Sequence, residues 1–193
     1  LNTGRLRDQW HGMTRTGRVT RLWAHSPEPA VALNPDDLAQ SGLRSGDLLR
    51  LESRRGALHV IAAADAAIAP GQAFLHMHWG SRYLSGAGIN ALTLPVTDPK
   101  SFQPELKHCA IRLAKAALPW RLVAFGTPRD GDALAQLARV QAWLPRFEFA
   151  SCALTSDANG VLLRAAADAA PAAEVLDALH ALFELDDENV LRY

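Results

Sequence analysis

Leu33–Ala62 reads LNPDDLAQSGLRSGDLLRLESRRGALHVIA. It holds a helix start, a helix stop and a hairpin in succession. The Asn34 side chain suits a helix cap, and Pro35 fits the first turn. Asp36 and Asp37 complement the positive end of the backbone dipole. Gly42 supplies the left-handed residue that ends a helix, so the spacing predicts a short helix between these signals. Ser45-Gly46-Asp47 then turns the chain. Leu49 and Leu51 alternate with Arg50 and Glu52, Arg54-Arg55-Gly56 turns back, and Leu58, Val60 and Ala62 alternate on the return. This is the strongest strand signal in the chain, and it predicts a mainly β fold.

Outward from this unit, Ala30–Leu33 is a short strand preceded by the Pro-bounded link His25–Pro29. The Gly- and Arg-rich start, Leu1–Leu22, lacks apolar periodicity and reads as a short strand followed by a long structured loop. On the C-terminal side a strand is expected over Ala73–Met77, a Gly-rich loop over His78–Asn90, a second loop over Ser101–Glu105 and a closing strand over Leu106–Leu113. Composition shifts near Ala116–Pro119, where the chain becomes Ala-rich and acidic. Beyond it the patterns predict a strand (120–125), a helix (132–144) stopped by Pro145 and a strand (147–154). A turn over Asp157–Gly160, a strand (161–167) and a helix (171–185) follow. The order β-α-β-β-α suits a small α+β domain of the ferredoxin-like kind. The expected division is residues 1–116 and 117–193.

The 193 residues carry 20 basic and 20 acidic side chains and are 49% apolar. Residues 1–115 hold 14 basic and 9 acidic groups, and residues 116–193 hold 6 and 11. A neutral chain argues against general nucleic-acid binding, while its basic front leaves room for a local anionic ligand. Two cysteines, Cys109 and Cys152, form no disulfide framework. No apolar run reaches the roughly 20 residues of a membrane span, and no signal peptide is visible. These features suit a cytoplasmic protein with no membrane partner. The chain opens on LNTGRL without Met and reads as a fragment of something longer.

Catalytic motifs are scarce. His76 and His78 sit at strand spacing, yet no CxxC or HxxxH pattern completes a metal site. Cys109 falls in an expected strand with His108 on the opposite face, which disfavours a cysteine hydrolase. No nucleophile elbow and no Gly-x-x-x-x-Gly-Lys loop occurs. What remains is an anion-binding constellation. Gly4 permits close backbone approach, Thr3 offers a hydroxyl and Arg5 a planar fork suited to phosphate. Trp10 offers a flat face and His11 a hydrogen-bonding tip, and Met13–Gly17 repeats the hydroxyl, Arg, Gly theme.

Four ordered blocks carry a resemblance: LNTGRLRDQWHGMTRTGRV, the Leu33–Ala62 unit, HMHWGSRYLSGAGINALTL and TDPKSFQPELKHCAIRL. Together they resemble the C-terminal cofactor-binding domain of molybdopterin oxidoreductases, and within that family the bacterial assimilatory nitrate reductase catalytic subunits. The resemblance implies a double-psi β-barrel over 1–116 that grips the nucleotide parts of bis(molybdopterin guanine dinucleotide). It implies cofactor contacts from Thr3, Gly4, Arg5, Trp10, His11, Gly12 and Thr14 around pterin and pyrophosphate. Asn90 and Lys107 would add contacts further along the cofactor. Trp79 and Arg82 would lie near the substrate funnel. Gly12 departs from the family, where Thr is common, and keeps only a backbone contact. The molybdenum ligand and the iron-sulfur cluster would lie in upstream domains, so this chain has no catalytic residue of its own. Its partners would be the remaining domains of the parent enzyme and an electron-donor protein.

Other readings stay open at this point. Trp10 also reads as a packing residue, Asn90 as the cap of a short helix and Lys107 as a solvated strand residue. The same domain serves formate dehydrogenases and other family members. A stand-alone binding module is a reading of a different class.

Overall fold

The computed structural model describes residues 1–155 and 160–183. The chain divides into two compact units. The first comprises Leu1–Leu6, Pro29–Gly80 and Ala87–Ala116; the second comprises Arg7–Glu28, Ser81–Gly86 and Ala117–Tyr193.

The first unit is a mixed six-stranded sheet. Its elements are β1 (Asn2–Gly4), β2 (Ala30–Leu33), α1 (Pro35–Gln40), β3 (Leu48–Glu52), β4 (Ala57–Ala64), β5 (Ala73–His76) and β6 (Arg112–Lys115). The strand order is β1-β5-β2-β4-β3-β6. β1 runs parallel to β5, and β2 parallel to β4, while the other pairs are antiparallel.

The local reasons are those of the sequence. Asn34 Oδ1 accepts from the Asp36 N–H at 2.8 Å, and its Nδ2 donates to the Ile68 carbonyl at 2.8 Å. At the other end Leu43 N–H donates to Leu38 O and Gly42 N–H to Ala39 O, with Gly42 at φ 66°. This is the paired-bond helix stop that a left-handed glycine permits, and Leu38 and Leu43 are both buried beside it. The hairpin pairs Leu51 with Leu58 and Leu49 with Val60, all buried, while Arg50 faces outward. Burying each such Leu contributes about 1.5–3 kcal/mol.

The expected closing strand is shorter and later than Leu106–Leu113, for β6 begins at Arg112. His108 has φ 58°, a left-handed geometry that a strand does not accommodate. Cys109 is held from both sides, its N–H on Leu1 O and its Sγ against Leu92 O. β5 likewise ends at His76, so His78 is not on the strand.

The second unit is built on a three-stranded antiparallel sheet of order β7-β9-β8, with β7 (Trp120–Gly126), β8 (Phe149–Leu154) and β9 (Val161–Ala167). Two helices, α2 (Ala133–Gln141) and α3 (Ala173–Phe183), complete the order β-α-β-β-α. Asp132 caps α2 by accepting from Ala135 N–H at 2.9 Å. Pro145 stands in a separate short 3-10 turn, Leu144–Arg146, beyond α2. Residues 157–159 of the expected turn and 184–185 of the expected helix lie outside the described residues.

The long structured loop expected after β1 contains three short 3-10 turns, His11–Met13, Thr16–Arg18 and Thr20–Trp23. Their core is Trp23, whose Nε1–H donates to Gly17 O at 3.1 Å and whose ring meets Tyr83 edge-on at 5.3 Å. Ser81–Gly86 pairs with β8: Ser85 N–H donates to Ala150 O, and Ala150 N–H to Ser85 Oγ, each at 2.8 Å. Arg164 and Glu28 form an ion pair across the same unit.

Two outcomes follow from this packing. Leu51→Ala leaves a cavity in the first unit and lowers stability by about 2–5 kcal/mol, whereas Arg50→Ala stays within about 0.5 kcal/mol; urea unfolding measures both. At Gly17 a Cβ would lie 2.4 Å from Tyr83 Oη. Gly17→Ala therefore costs about 1–3 kcal/mol, and adding Tyr83→Phe recovers part of that loss. Full additivity in the double-mutant cycle is the contrary result.

Candidate functional site

In the first unit the parallel pairing of β1 and β5 sets Asn2 opposite Phe74, Thr3 opposite Leu75 and Gly4 opposite His76. Met77 N–H donates to Gly4 O at 2.9 Å and carries the ladder one step further. Both strands leave the sheet at the same end, with Arg5 following one and His78 the other. The carboxyl ends of parallel strands are where open sheets commonly hold ligands.

The sequence candidates of this unit occupy different environments. Thr3 is only 3% exposed, and its hydroxyl donates to Leu106 O at 2.7 Å. That bond ties β1 to the segment preceding β6. A Cβ at Gly4 would lie 2.8 Å from the outer end of the half-buried Phe74 ring, so any larger residue here requires that ring to move. Arg5 is exposed. Asn90 is exposed within the turn Ile89–Ala91, where its carbonyl accepts from Thr93 Oγ1 at 3.4 Å. Gly88, not Asn90, occupies the cap position of that turn. Lys107 is exposed, lies outside β6, and its N–H meets Glu105 Oε1 at 3.1 Å. Trp79 is fully buried and belongs to the interior of this unit.

His78 entered the sequence reading only as half of an incomplete metal pair with His76. It is 3% exposed, and its Nε2 has no hydrogen-bond partner among the described residues. Burial, and then the charge of Arg5, holds its proton affinity below that of an ordinary histidine. The ring is therefore neutral at physiological pH. Strand spacing marked it for a metal only, because its protonation state depends on a burial that spacing does not register.

Trp10, His11, Gly12, Thr14 and Arg82 belong to the second unit, and all five are exposed. Trp10 is 55% exposed, which does not suit a packing role within this unit. Its N–H donates to Thr16 Oγ1 at 3.2 Å, and its ring centroid lies 5.6 Å from that of His11. His11, Gly12 and Met13 have φ of 45°, 61° and 63°. Left-handed geometry costs L-residues roughly 1–2 kcal/mol each and persists where the surroundings over-determine it. The fixing contacts are visible. Met13 is fully buried, its N–H donates to Trp10 O at 2.7 Å, and its carbonyl accepts from Tyr83 Oη at 3.2 Å. The result is a strained, anchored turn that presents Trp10 and His11 outward. Arg82 precedes the anchor Tyr83, and its carbonyl faces Cys152 Sγ at 3.7 Å.

Neither cysteine is set up as a nucleophile. Burial pushes the Cys152 thiol up to about 12, and Cys109 is buried with its sulfur against a backbone carbonyl. Among the described residues no group of three or more His, Cys, Asp or Glu side chains is placed to hold a metal ion. No helix among them is long and apolar enough to cross a membrane. The available chemistry is that of binding: exposed cationic forks, an outward indole and a buried neutral imidazole.

Comparison with known proteins gives this chemistry a context. Residues 1–110 match the family described as "Molydopterin dinucleotide binding domain". A nitrate reductase of Klebsiella oxytoca is 32% identical over an alignment covering 100% of this chain and 26% of that protein. A nitrate reductase of Shewanella frigidimarina is 33% identical over 65% of the chain, and one of Synechocystis is 40% identical over 58%. The chain covers 16% of each of these two. It thus spans about a quarter or less of the length of these relatives. Among solved structures, acetylene hydratase from Pelobacter acetylenicus shares the fold, with a TM-score of 0.50 and 18% identity over 60% of this chain and 18% of its own. With more than half of its residues matched, the chain belongs to the molybdopterin dinucleotide-binding domain family.

Proposed function

We propose that this chain is the cofactor-binding C-terminal part of a molybdenum nitrate reductase, and that it holds the guanine dinucleotide moieties of bis(molybdopterin guanine dinucleotide). The observation that carries the reading is the shared name of three relatives, nitrate reductase, one of them aligned along the whole chain. The residues fit the group on physical grounds. Arg5, an exposed guanidinium, follows β1 at the end where β1 and β5 leave the sheet together, and its planar fork suits the oxygens of a phosphate-bearing ligand.

In this reading Thr3, Gly4 and Arg5 shape the phosphate end of the site, with Thr3 acting through the backbone that it pins. Trp10, His11, Gly12 and Thr14 present the anchored turn to the pterin and pyrophosphate. Asn90 and Lys107 contact the cofactor further along, and Trp79 and Arg82 border the substrate approach. The bound cofactor supplies the two-electron chemistry that reduces nitrate to nitrite. The molybdenum ligand and an iron-sulfur cluster belong to the remaining domains of the parent enzyme, which are the partners of this chain together with an electron donor. The setting is cytoplasmic nitrate assimilation.

The proposed fold is equally specific. Residues 1–116 form a double-psi β-barrel domain and residues 117–193 a ferredoxin-like domain. The paired parallel ladders β1/β5 and β2/β4 support the first. The order β-α-β-β-α with its last strand in the middle of the sheet supports the second.

The test is made on the parent enzyme purified with and without substitutions. Oxidised pterin and GMP released from the protein measure cofactor content, and a dye-coupled assay measures nitrate reduction. Arg5→Ala and Trp10→Ala are each expected to lower cofactor content about tenfold, the effect of losing roughly 1.4 kcal/mol of binding. Unchanged cofactor content in both variants removes the site assignment. An enzyme that is loaded with cofactor and leaves nitrate untouched removes the substrate.

A further inference from the structure

Residues 95–105 of the first unit are exposed without exception. The segment is nonetheless tightly built. Glu105 N–H donates to Val96 O at 2.8 Å, Thr97 bridges Pro104, and Asp98 N–H donates to Gln103 O at 2.9 Å. These bonds make a hairpin whose tip is Pro99-Lys100-Ser101-Phe102. The Asp98 carboxylate accepts from Lys100 N–H at 3.0 Å, Ser101 N–H at 2.7 Å and Ser101 Oγ at 2.9 Å. Phe102 N–H donates to Asp98 O at 2.9 Å. The bonds from Ser101, and then Lys100, hold the Asp98 carboxyl below the usual carboxylate range, so it is ionised and engaged at neutral pH. Pro99 and Pro104 remove further backbone freedom.

Phe102 is the misfit of this tip. Its φ is 57°, a left-handed geometry that glycine adopts freely and a large side chain does not. Glycine is the ordinary occupant of such a position in a hairpin turn. The phenyl ring recovers nothing from its own unit, for it is 75% exposed. Among the described residues the exposed large apolar side chains of the first unit are Phe102 and Val96, and both lie on this hairpin. Strain held in place by several bonds clusters at sites that contact a ligand or partner.

The neighbours define the chemistry of what meets the ring. Lys100, Ser101 and Gln103 are exposed beside it in the chain, and Lys100 has no ion-pair partner among the described residues. An aromatic anchor with a polar rim is the ordinary anatomy of a protein–protein contact. Its complement is an apolar socket with a carboxylate at the edge for Lys100. A lipid surface needs several apolar and basic side chains on one face, whereas this hairpin carries Lys100 as its only cation. The chain covers 26% or less of the relatives that it matches, so a protein built like them surrounds this unit with far more polypeptide than the chain supplies.

We propose that the 95–105 hairpin is a docking tip, with Phe102 inserted into an acidic-rimmed apolar socket on another domain of the parent enzyme. The proposal rests on the reading of this chain as part of a larger enzyme, and it adds the surface by which the first unit is seated there. The tip is ordered before contact, so docking costs it little conformational freedom.

The test compares two proteins, the 193-residue chain and the parent enzyme. In the chain Phe102→Gly relieves the left-handed strain, and the Tm is expected to rise by about 2–4 °C. In the parent the same substitution empties the socket, and the Tm is expected to fall, because the burial lost exceeds the strain relieved. A rise in both proteins overturns the proposal. A second measurement needs no variant to fold. A 4-fluorophenylalanine is placed at position 102 alone, and a soluble paramagnetic probe is added. The 19F resonance is expected to broaden in the chain and to stay sharp in the parent. Broadening in the parent shows a ring open to solvent and overturns the proposal. Lys100→Glu is expected to lower the Tm of the parent and to leave that of the chain unchanged, and an unchanged parent overturns the acidic rim. If sedimentation shows the chain to be a dimer that Phe102→Gly disperses, a second copy is the partner and the proposal falls. Failure of the broader reading shows separately, as a parent enzyme purified without pterin whatever the state of Phe102.

Discussion

The parallel pairing of β1 with β5 is the constraint on which the first unit's binding surface depends. It brings Gly4 opposite His76 and sends Arg5 and His78 out of the sheet at the same end. Parallel neighbours share direction, so residues that follow the two strands emerge together. A side chain at position 4 would displace the Phe74 ring, which lies against Gly4. Thr3 strengthens it from the opposite side by binding Leu106 O. A residue whose hydroxyl is engaged within the fold can thus help set where Arg5 lies.

The second unit solves a similar problem by a different device. Its outward groups, Trp10 and His11, sit on a left-handed turn that is unfavourable by itself. Fully buried Met13 and the Tyr83 hydroxyl hold the turn in place. Tyr83 in turn contacts Trp23, and the Gly17 position leaves room for its hydroxyl. Strain at an exposed turn and dense packing beneath it are two aspects of one arrangement. The burial of Met13, Trp23 and Tyr83 offsets the backbone cost and presets the geometry offered to a ligand.

What could be read from sequence, and what could not, follows the range of the interactions. Asn34, Pro35 and Gly42 act within a few residues, so the start and stop of α1 were visible from chemistry alone. The alternation from Leu48 to Ala62 was visible because a two-residue period survives any tertiary context that buries one face. Leu106–Ile111 read as strand on the same ground. The structure differs because His108 is left-handed and Cys109 is pinned to Leu1 and Leu92, distant residues that periodicity does not register. The motif residues Thr3 and Arg5 were found as types suited to phosphate, yet the Thr3 hydroxyl is engaged inside the fold. His78 was legible only as half of an incomplete metal pair with His76, and its burial comes from the packing of the folded unit, which spacing does not register.

Charge shows the same dependence on folding. Along the sequence the basic groups gather before residue 116, which suggests a cationic domain for an anionic ligand. Sorting residues by compact unit instead gives nine basic and seven acidic groups in the first unit, and eleven and thirteen in the second. The arginines of Arg7–Glu28 belong with the acidic unit, so most of the apparent polarity disappears. A net excess of two charges spread over a unit is weak attraction at physiological salt, where screening acts within about 8 Å. Recognition of a dinucleotide must then come from groups close to its oxygens. An exposed guanidinium such as Arg5, planar and able to bond two phosphate oxygens at once, meets that requirement.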